Sequence, residues 1–221
     1  MGIAERRQRQ RAALRTRIVE AARDILSAEG LDALSIRSIA ERIEYSPATI
    51  YLYFRHKDDL IREVVKAGFT RLAESIERAV AELGPDPNSA EQFRATGRAY
   101  ARFAVENTAY FRLMFELPKA SRPDCLPPAE AVPLPPWHTD LVTLVTRAKE
   151  AGLTNAGDPA QAALVGWAVM HGLASLYLSG HLTPALQGPG ELAELVEAAL
   201  ATLWKGWKVE GTGEPARDRG G

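Results

Sequence analysis

The stretch LSIRSIAERIEYSPATIYLYFRHKDDL, residues 34–60, decides the fold. Ser35 is a good N-cap, and Ile36, Ile39, Ala40 and Ile43 follow it at helical spacing. Leu34 and Ile39 stand at the two positions of a hydrophobic staple. After Glu44-Tyr45-Ser46 the pattern restarts. Ser46 can cap, Pro47 suits a first helical position, and Tyr45 with Ile50 repeats the staple. Two short helices joined by a tight break make a helix-turn-helix. Ile50 and Phe54 give the second helix one apolar face, so Ala48, Thr49, Leu52 and Tyr53 point elsewhere. Small and hydroxyl-bearing residues at the N-terminal end of such a helix are what a major groove admits.

Outward from there, a stripe of Leu14, Ile18, Ala21, Ala22, Ile25 and Leu26 predicts a helix over 9–28, closed by Gly30. Arg6, Arg7, Arg9, Arg11, Arg15, Arg17 and Arg23 face only Glu5 and Glu20 through residue 23. This arm is locally basic although the whole chain carries a net charge of -1. A basic arm beside a groove-reading helix is an electrostatic footprint for nucleic acid, each arginine being either a phosphate contact or part of a solvated face. A long helix over 57–83 then leads away, and Lys57 at its start could meet a phosphate together with free N–H groups.

These residues also carry a family resemblance. Ser35-Ile36-Arg37-Ser38-Ile39-Ala40-Glu41-Arg42, Ser46-Pro47-Ala48-Thr49-Ile50-Tyr51-Leu52-Tyr53-Phe54 and Lys57-Asp58-Asp59-Leu60 together resemble the signature of TetR/AcrR-type transcriptional regulators. The resemblance implies phosphate contacts at Tyr51, Tyr53 and Lys57, and base or phosphate contacts at Arg37, Ala48 and Thr49. It places Pro47 and Leu52 at operator-dependent positions, with Ser46 opening the same helix. Glu44 stands where that family usually has glycine, so the turn is expected to form without an easy positive φ. Tyr53 replaces a usual histidine, and His56 takes the place of a small capping residue, which predicts a poorly capped helix after it.

In the rest of the chain, Gly84-Pro85-Asp86-Pro87-Asn88-Ser89 marks a boundary. One helix is expected over 90–117, with Phe93, Tyr100, Phe103, Tyr110, Phe111 and Met114, an aromatic stripe that is either plain core or a ligand pocket. Seven prolines in 118–136 predict an extended loop. Helices follow from Trp137 to Ala151, from Pro159, capped by Asp158, to about Gly180, and from Glu191 to about Lys208. The middle one is apolar on nearly every side and asks for cover, most simply a second subunit. Its Trp167-x-x-x-His171-Gly172 string is similar to one in the C-terminal domain of one branch of the same regulators.

Composition bounds the rest. The 221 residues are 46% hydrophobic, enough to bury a sizeable core. Cys125 alone excludes an internal disulfide. The four histidines lack the spacing of a metal site, and no nucleophile elbow or phosphate-cradling loop is evident, so neither cofactor nor enzymatic activity is expected. The arginine-rich start has no apolar stretch after it, and the longest apolar run is broken by His171 and glycines. A cytoplasmic protein with no membrane association is the expectation.

The sequence therefore predicts an all-α chain of about nine helices. Residues 1–56 would form a DNA-binding head with a flexible arm to about residue 8, and 57–83 a connecting helix. Residues 84–209 would bind an effector and dimerise, and 210–221 would form a flexible tail. Pocket candidates are Phe103, Tyr110, Phe111, Met114, Trp167, Met170 and His171. Dimer-interface candidates are Leu173, Tyr177, Leu195, Ala199, Leu203 and Trp207. The expected partners are an operator duplex, a second copy of the chain, and a small apolar or amphipathic effector. Activation and repression are equally compatible with these residues. The competing reading is an all-helical small-molecule-binding protein or enzyme in which the helix-turn-helix is scaffold.

Overall fold

A computed structural model describes residues 2–85, 87–116, 136–182, 185–186 and 188–208. Among them are nine α-helices: α1 (Ile3–Glu29), α2 (Ile36–Arg42), α3 (Pro47–Tyr51), α4 (Lys57–Ala81), α5 (Ser89–Glu106), α6 (Thr108–Phe115), α7 (Pro136–Glu150), α8 (Pro159–Leu178) and α9 (Pro189–Gly206). The described residues include no strand, only one isolated bridge between Thr154 and Lys208. The chain divides into two compact units. One joins Met1–Arg71 to the segment beginning at Asn107, and the other joins Leu72–Glu106 to the segment beginning at Leu134.

The first unit contains the quoted stretch. Ser35 accepts the Ser38 N–H at 2.9 Å, and the Ser38 hydroxyl returns to the Ser35 N–H at the same distance, which closes both ends of a capping box. Ser46 caps α3 with Pro47 at its first position. The turn between them is made against expectation. Glu44 adopts φ 59, a left-handed conformation that costs a side-chain-bearing residue about 1–2 kcal/mol. The end of α2 forces it, since Tyr45 N–H donates to the Ala40 carbonyl at 2.9 Å.

Two further expectations are corrected. The first helix does not wait for residue 9: α1 begins at Ile3, with Gly2 N–H donating to Glu5 Oε2 at 3.1 Å. An acid in the first turn and a run of Ala, Arg, Glu and Gln account for the early start. Nor is α4 poorly capped. Asp59 Oδ2 accepts the N–H groups of Arg55 and His56 at 3.3 and 3.2 Å, reaching back as a capping-box acid does.

The single helix expected over 90–117 is two. Asn107 leaves the helical region with φ -124 and ψ 41, while its carbonyl already accepts the Phe111 N–H at 2.9 Å. Asparagine is a common residue at a helix start, though here its side chain makes no capping hydrogen bond. α5 thus belongs to the second unit and α6 to the first, where α6 packs on α1. Guanidinium groups of Arg23 and Arg71 each lie 5.2 Å from the Tyr110 ring, and Phe115 meets Phe69 edge-on at 5.6 Å.

In the second unit α5 runs along α9 and also meets α7 and α8. Glycines permit the close approach: a Cβ at Gly166 of α8 would lie 2.7 Å from Phe93 Cζ on α5, and one at Gly97 would collide with Leu200 on α9. Phe93 also packs against Trp204 and Trp207, at 5.4 and 5.8 Å. Asp158 caps α8 as expected, accepting from Ala160 N–H at 3.1 Å. α8 is the one helix among the described residues long and apolar enough to cross a membrane. Ala163, Met170 and Ala174 bury one side of it, while Leu164, Val165 and Leu176 stay 49, 45 and 44% exposed. Of the loop expected over 118–136, Pro136 begins α7, while 118–135 and the tail expected over 210–221 lie outside the described residues.

Candidate nucleic-acid interface and aromatic cluster

α3 is built to turn one side outward. Ile50 and Phe54 are buried, at 0 and 3% exposure, while Tyr51 and Leu52 are 56 and 72% exposed. Pro47 and Ala48 are exposed beside them. The Ser46 and Thr49 hydroxyls lie 3.0 Å apart, so the cap and the first turn hold each other in place. Arg37 is exposed on α2 and pairs with Glu41 at 3.0 Å. Lys57 and Tyr53 are half-buried and already engaged. The Lys57 ammonium donates to the Leu31 carbonyl, and the Arg11 guanidinium lies 5.7 Å from the Tyr53 ring.

The α1 arginines divide in a way the sequence did not reveal. Arg6, Arg7 and Arg9 are exposed along the first turns. Arg15 lies over Phe54 and pairs with Glu63 at 2.8 Å, whereas Arg17 lies over Tyr45 and donates to the Ile43 carbonyl at 3.4 Å. These stacked cations fasten α1 to the helix-turn-helix through cation–π attraction. On α4, a hydrogen bond from Arg62, which ion-pairs with Asp59, holds the Asp59 carboxyl below its usual range.

A second constellation lies in the other unit. Trp167 Nε1–H donates to the Tyr100 oxygen at 3.3 Å, and that hydroxyl lies 2.9 Å from His171 Nδ1. Indole nitrogen only donates. The order that uses each donor once sends the Tyr100 proton to His171 Nδ1 and leaves the imidazole proton on Nε2, 3.5 Å from Ser175 Oγ. Burial raises the Tyr100 pKa and lowers that of His171, so both stay neutral near pH 7. Trp137 and His138 close the group. The Trp137 ring lies 5.5 Å from Trp167 and 5.7 Å from Tyr100, and the His138 ring lies 6.1 Å from Trp167.

The seven pocket candidates are divided between the two units. Trp167 and His171 meet in this cluster, with Met170 and Phe103 buried in the same unit. Tyr110, Phe111 and Met114 belong to the first unit, where Met114 lies against Gly68. The cluster's other members, Tyr100, Trp137 and His138, were not among the candidates; the Trp-His pair directly after Pro136 was the available signal. Of the dimer-interface candidates, Leu173, Tyr177, Leu195, Ala199 and Leu203 are half-buried. Trp207 turns inward against Phe93 and the small cluster of Val145, Ala156 and Ala162, and its carbonyl accepts from Asn155 N–H at 2.7 Å.

Comparison with known proteins agrees with this geometry. The family profile described as bacterial regulatory proteins, tetR family, matches residues 18–64. The profile described as tetracyclin repressor-like, C-terminal domain, matches residues 93–203. An uncharacterised HTH-type transcriptional regulator of Haemophilus influenzae is 30% identical over 94 residues, 42% of this chain and 49% of that protein. An HTH-type transcriptional regulator of Mycobacterium bovis is 28% identical over 113 residues, 51% of this chain and 48% of that protein. The chain thus spans about half the length of the curated relatives it matches. Among solved structures, a Rhodococcus protein of unknown function superposes with a TM-score of 0.70 at 30% identity, covering 89% of this chain and 96% of that one. A TetR-family regulator from Thermus thermophilus gives 0.64 at 20% identity, covering 85 and 97%. With a regulatory-type head at one end and a repressor-like C-terminal domain over half its length, the chain belongs to the TetR family of bacterial regulatory proteins.

Proposed function

We propose that the chain is a sequence-specific, DNA-binding transcriptional regulator of the cytoplasm and not an enzyme. It acts as a homodimer, most simply as a repressor released from a palindromic operator by a small apolar or amphipathic effector. The observation that carries the reading is the outward side of α3: Tyr51 and Leu52 stand free beside Pro47 and Ala48, while Ile50 and Phe54 hold the helix from behind. Two copies of α3 would enter successive major grooves about 34–36 Å apart, or farther by a helical turn. Ala48, Thr49 and Leu52 would meet base edges, and Arg37, Ser46, Tyr51, Tyr53 and Lys57 the backbone.

The exposed apolar side of α8, including Leu164, Val165 and Leu176, supports the second copy. The Tyr100–Trp167–His171 group supports an effector site, a few polar atoms set among aromatic rings. Fluorescence anisotropy on DNA flanking the protein's own coding region tests the reading. Expected is saturable binding that weakens steeply with salt and is abolished for Tyr51→Ala combined with Leu52→Ala at unchanged helicity. Binding that ignores both substitutions removes α3 as the reading element.

A further inference from the structure

Trp137 and His138, side by side in the first turn of α7, are 2 and 3% exposed, yet among the described residues Trp137 Nε1 and His138 Nε2 have no hydrogen-bond partner. More than nine in ten buried polar groups have one, and leaving one without a partner forfeits its hydration with nothing in return. Two such atoms on consecutive residues double that penalty. Their place in the fold is equally specific. Every ring contact of Trp137 and His138 is with another uncharged ring: Tyr100, Trp167, or each other. The cluster's remaining polar atoms satisfy one another through Tyr100.

We propose that Trp137 Nε1 and His138 Nε2 are the effector's hydrogen-bonding contacts, and that the effector is an uncharged, largely apolar molecule presenting an acceptor oxygen, such as a carbonyl, to the Trp137 indole. This rests on the effector reading given above. An indole N–H only donates, so the ligand must accept there. Neutral His138 can donate or accept through Nε2, which suits either a second acceptor or a hydroxyl. A carboxylate or an ammonium would meet neutral rings, since no ring contact of Trp137 or His138 among the described residues is with a charged group, and burying an unpaired charge is far costlier than burying a ketone. Burial also holds the His138 imidazole towards its neutral form, so that ring brings no charge to a ligand either.

The test uses the full chain with its tryptophans labelled at the indole nitrogen, the Trp137 resonance being assigned from Trp137→Phe. Four probes of one shape are titrated: cyclohexanone, methylcyclohexane, cyclohexanecarboxylate and cyclohexylammonium. Cyclohexanone is expected to move the Trp137 indole proton downfield, at a concentration about tenfold below any response to the other three, the factor that one hydrogen bond of about 1.4 kcal/mol gives. An equal response to methylcyclohexane or to the carboxylate overturns the ligand class, and an unmoved Trp137 signal overturns the site. If Trp137 stays still while small molecules still release the protein from DNA, the effector site lies elsewhere and the regulatory reading stands. If no small molecule changes DNA binding, the effector reading itself fails. A second variant needs no ligand. His138→Leu removes a polar atom that lacks a partner, so the melting temperature is expected to hold or rise, whereas a clear fall means that a buried water satisfies Nε2 and overturns the assignment.

Discussion

The Tyr100 hydroxyl lies 2.9 Å from His171 Nδ1, so α5 and α8 are joined by a hydrogen bond inside an aromatic cluster. The same oxygen receives the Trp167 indole N–H. Tyr100→Phe keeps the ring and deletes the link to both. The expected cost is about 1–3 kcal/mol, read as a melting temperature lowered by roughly 2–4 °C per kcal/mol. An unchanged melting temperature would mean that the hydroxyl contributes nothing to the packing of α5 on α8.

Burial lowers the folded-state pKa of His138 and of His171 below the ordinary value of 6.5. As pH falls, the unfolded chain therefore binds protons first. The stability contributed by these neutral imidazoles is complete above about pH 6.5 and declines as pH drops below it. Melting curves between pH 8 and pH 5 should show a smaller acid-side loss in the His138→Leu, His171→Gln double variant than in the parent chain.

Glu44 holds φ 59 in the turn before α3. Glu44→Gly removes the left-handed strain, and about 1 kcal/mol of stabilisation is expected after the added freedom of the unfolded glycine is subtracted. It also removes a negative charge near the DNA-facing side, so operator affinity in the anisotropy assay should rise. Stabilisation without any gain in affinity would place Glu44 away from the duplex.

Gly166 lies under the Phe93 ring with no room for a methyl group. Gly166→Ala should destabilise by about 1–3 kcal/mol through overpacking, against the usual helix preference for alanine. Chemical denaturation measures it, and a stabilised variant would show that Phe93 moves aside at little cost.

Val165 and Leu176 lie on the exposed apolar side of α8. Val165→Glu with Leu176→Glu should convert a dimer to a monomer in light scattering while leaving helicity intact. The operator affinity of the pair of heads should fall with it, since two linked half-site contacts become independent. A dimer that survives both charges uses a different surface.

What was legible in the sequence was whatever a few neighbouring residues decide. Ser35, Ser46-Pro47 and Asp158-Pro159 announced helix starts because the cap and its acceptor lie within three residues. What stayed hidden depends on partners distant in sequence. The α1 arginines looked like a uniform basic face, but Arg15 and Arg17 meet rings 39 and 28 residues away, at Phe54 and Tyr45. The break at Asn107 was masked by a continuous apolar pattern through 90–115, since both helices bury an aromatic side, though in different units. Trp137 and His138 read as an ordinary helix start, because burial without a hydrogen-bond partner leaves no trace in local spacing.

The placement of α6 bears on how such regulators are recombined. A cartridge cut after α4, to be spliced onto a foreign sensor, would carry away Arg23 and Arg71 without the Tyr110 ring they flank, and Phe69 without Phe115. The side of α1 on which α6 packs would open to water and favour clumping. A transplant that is to keep its fold has to bring along two separate pieces of chain, the second starting at Asn107.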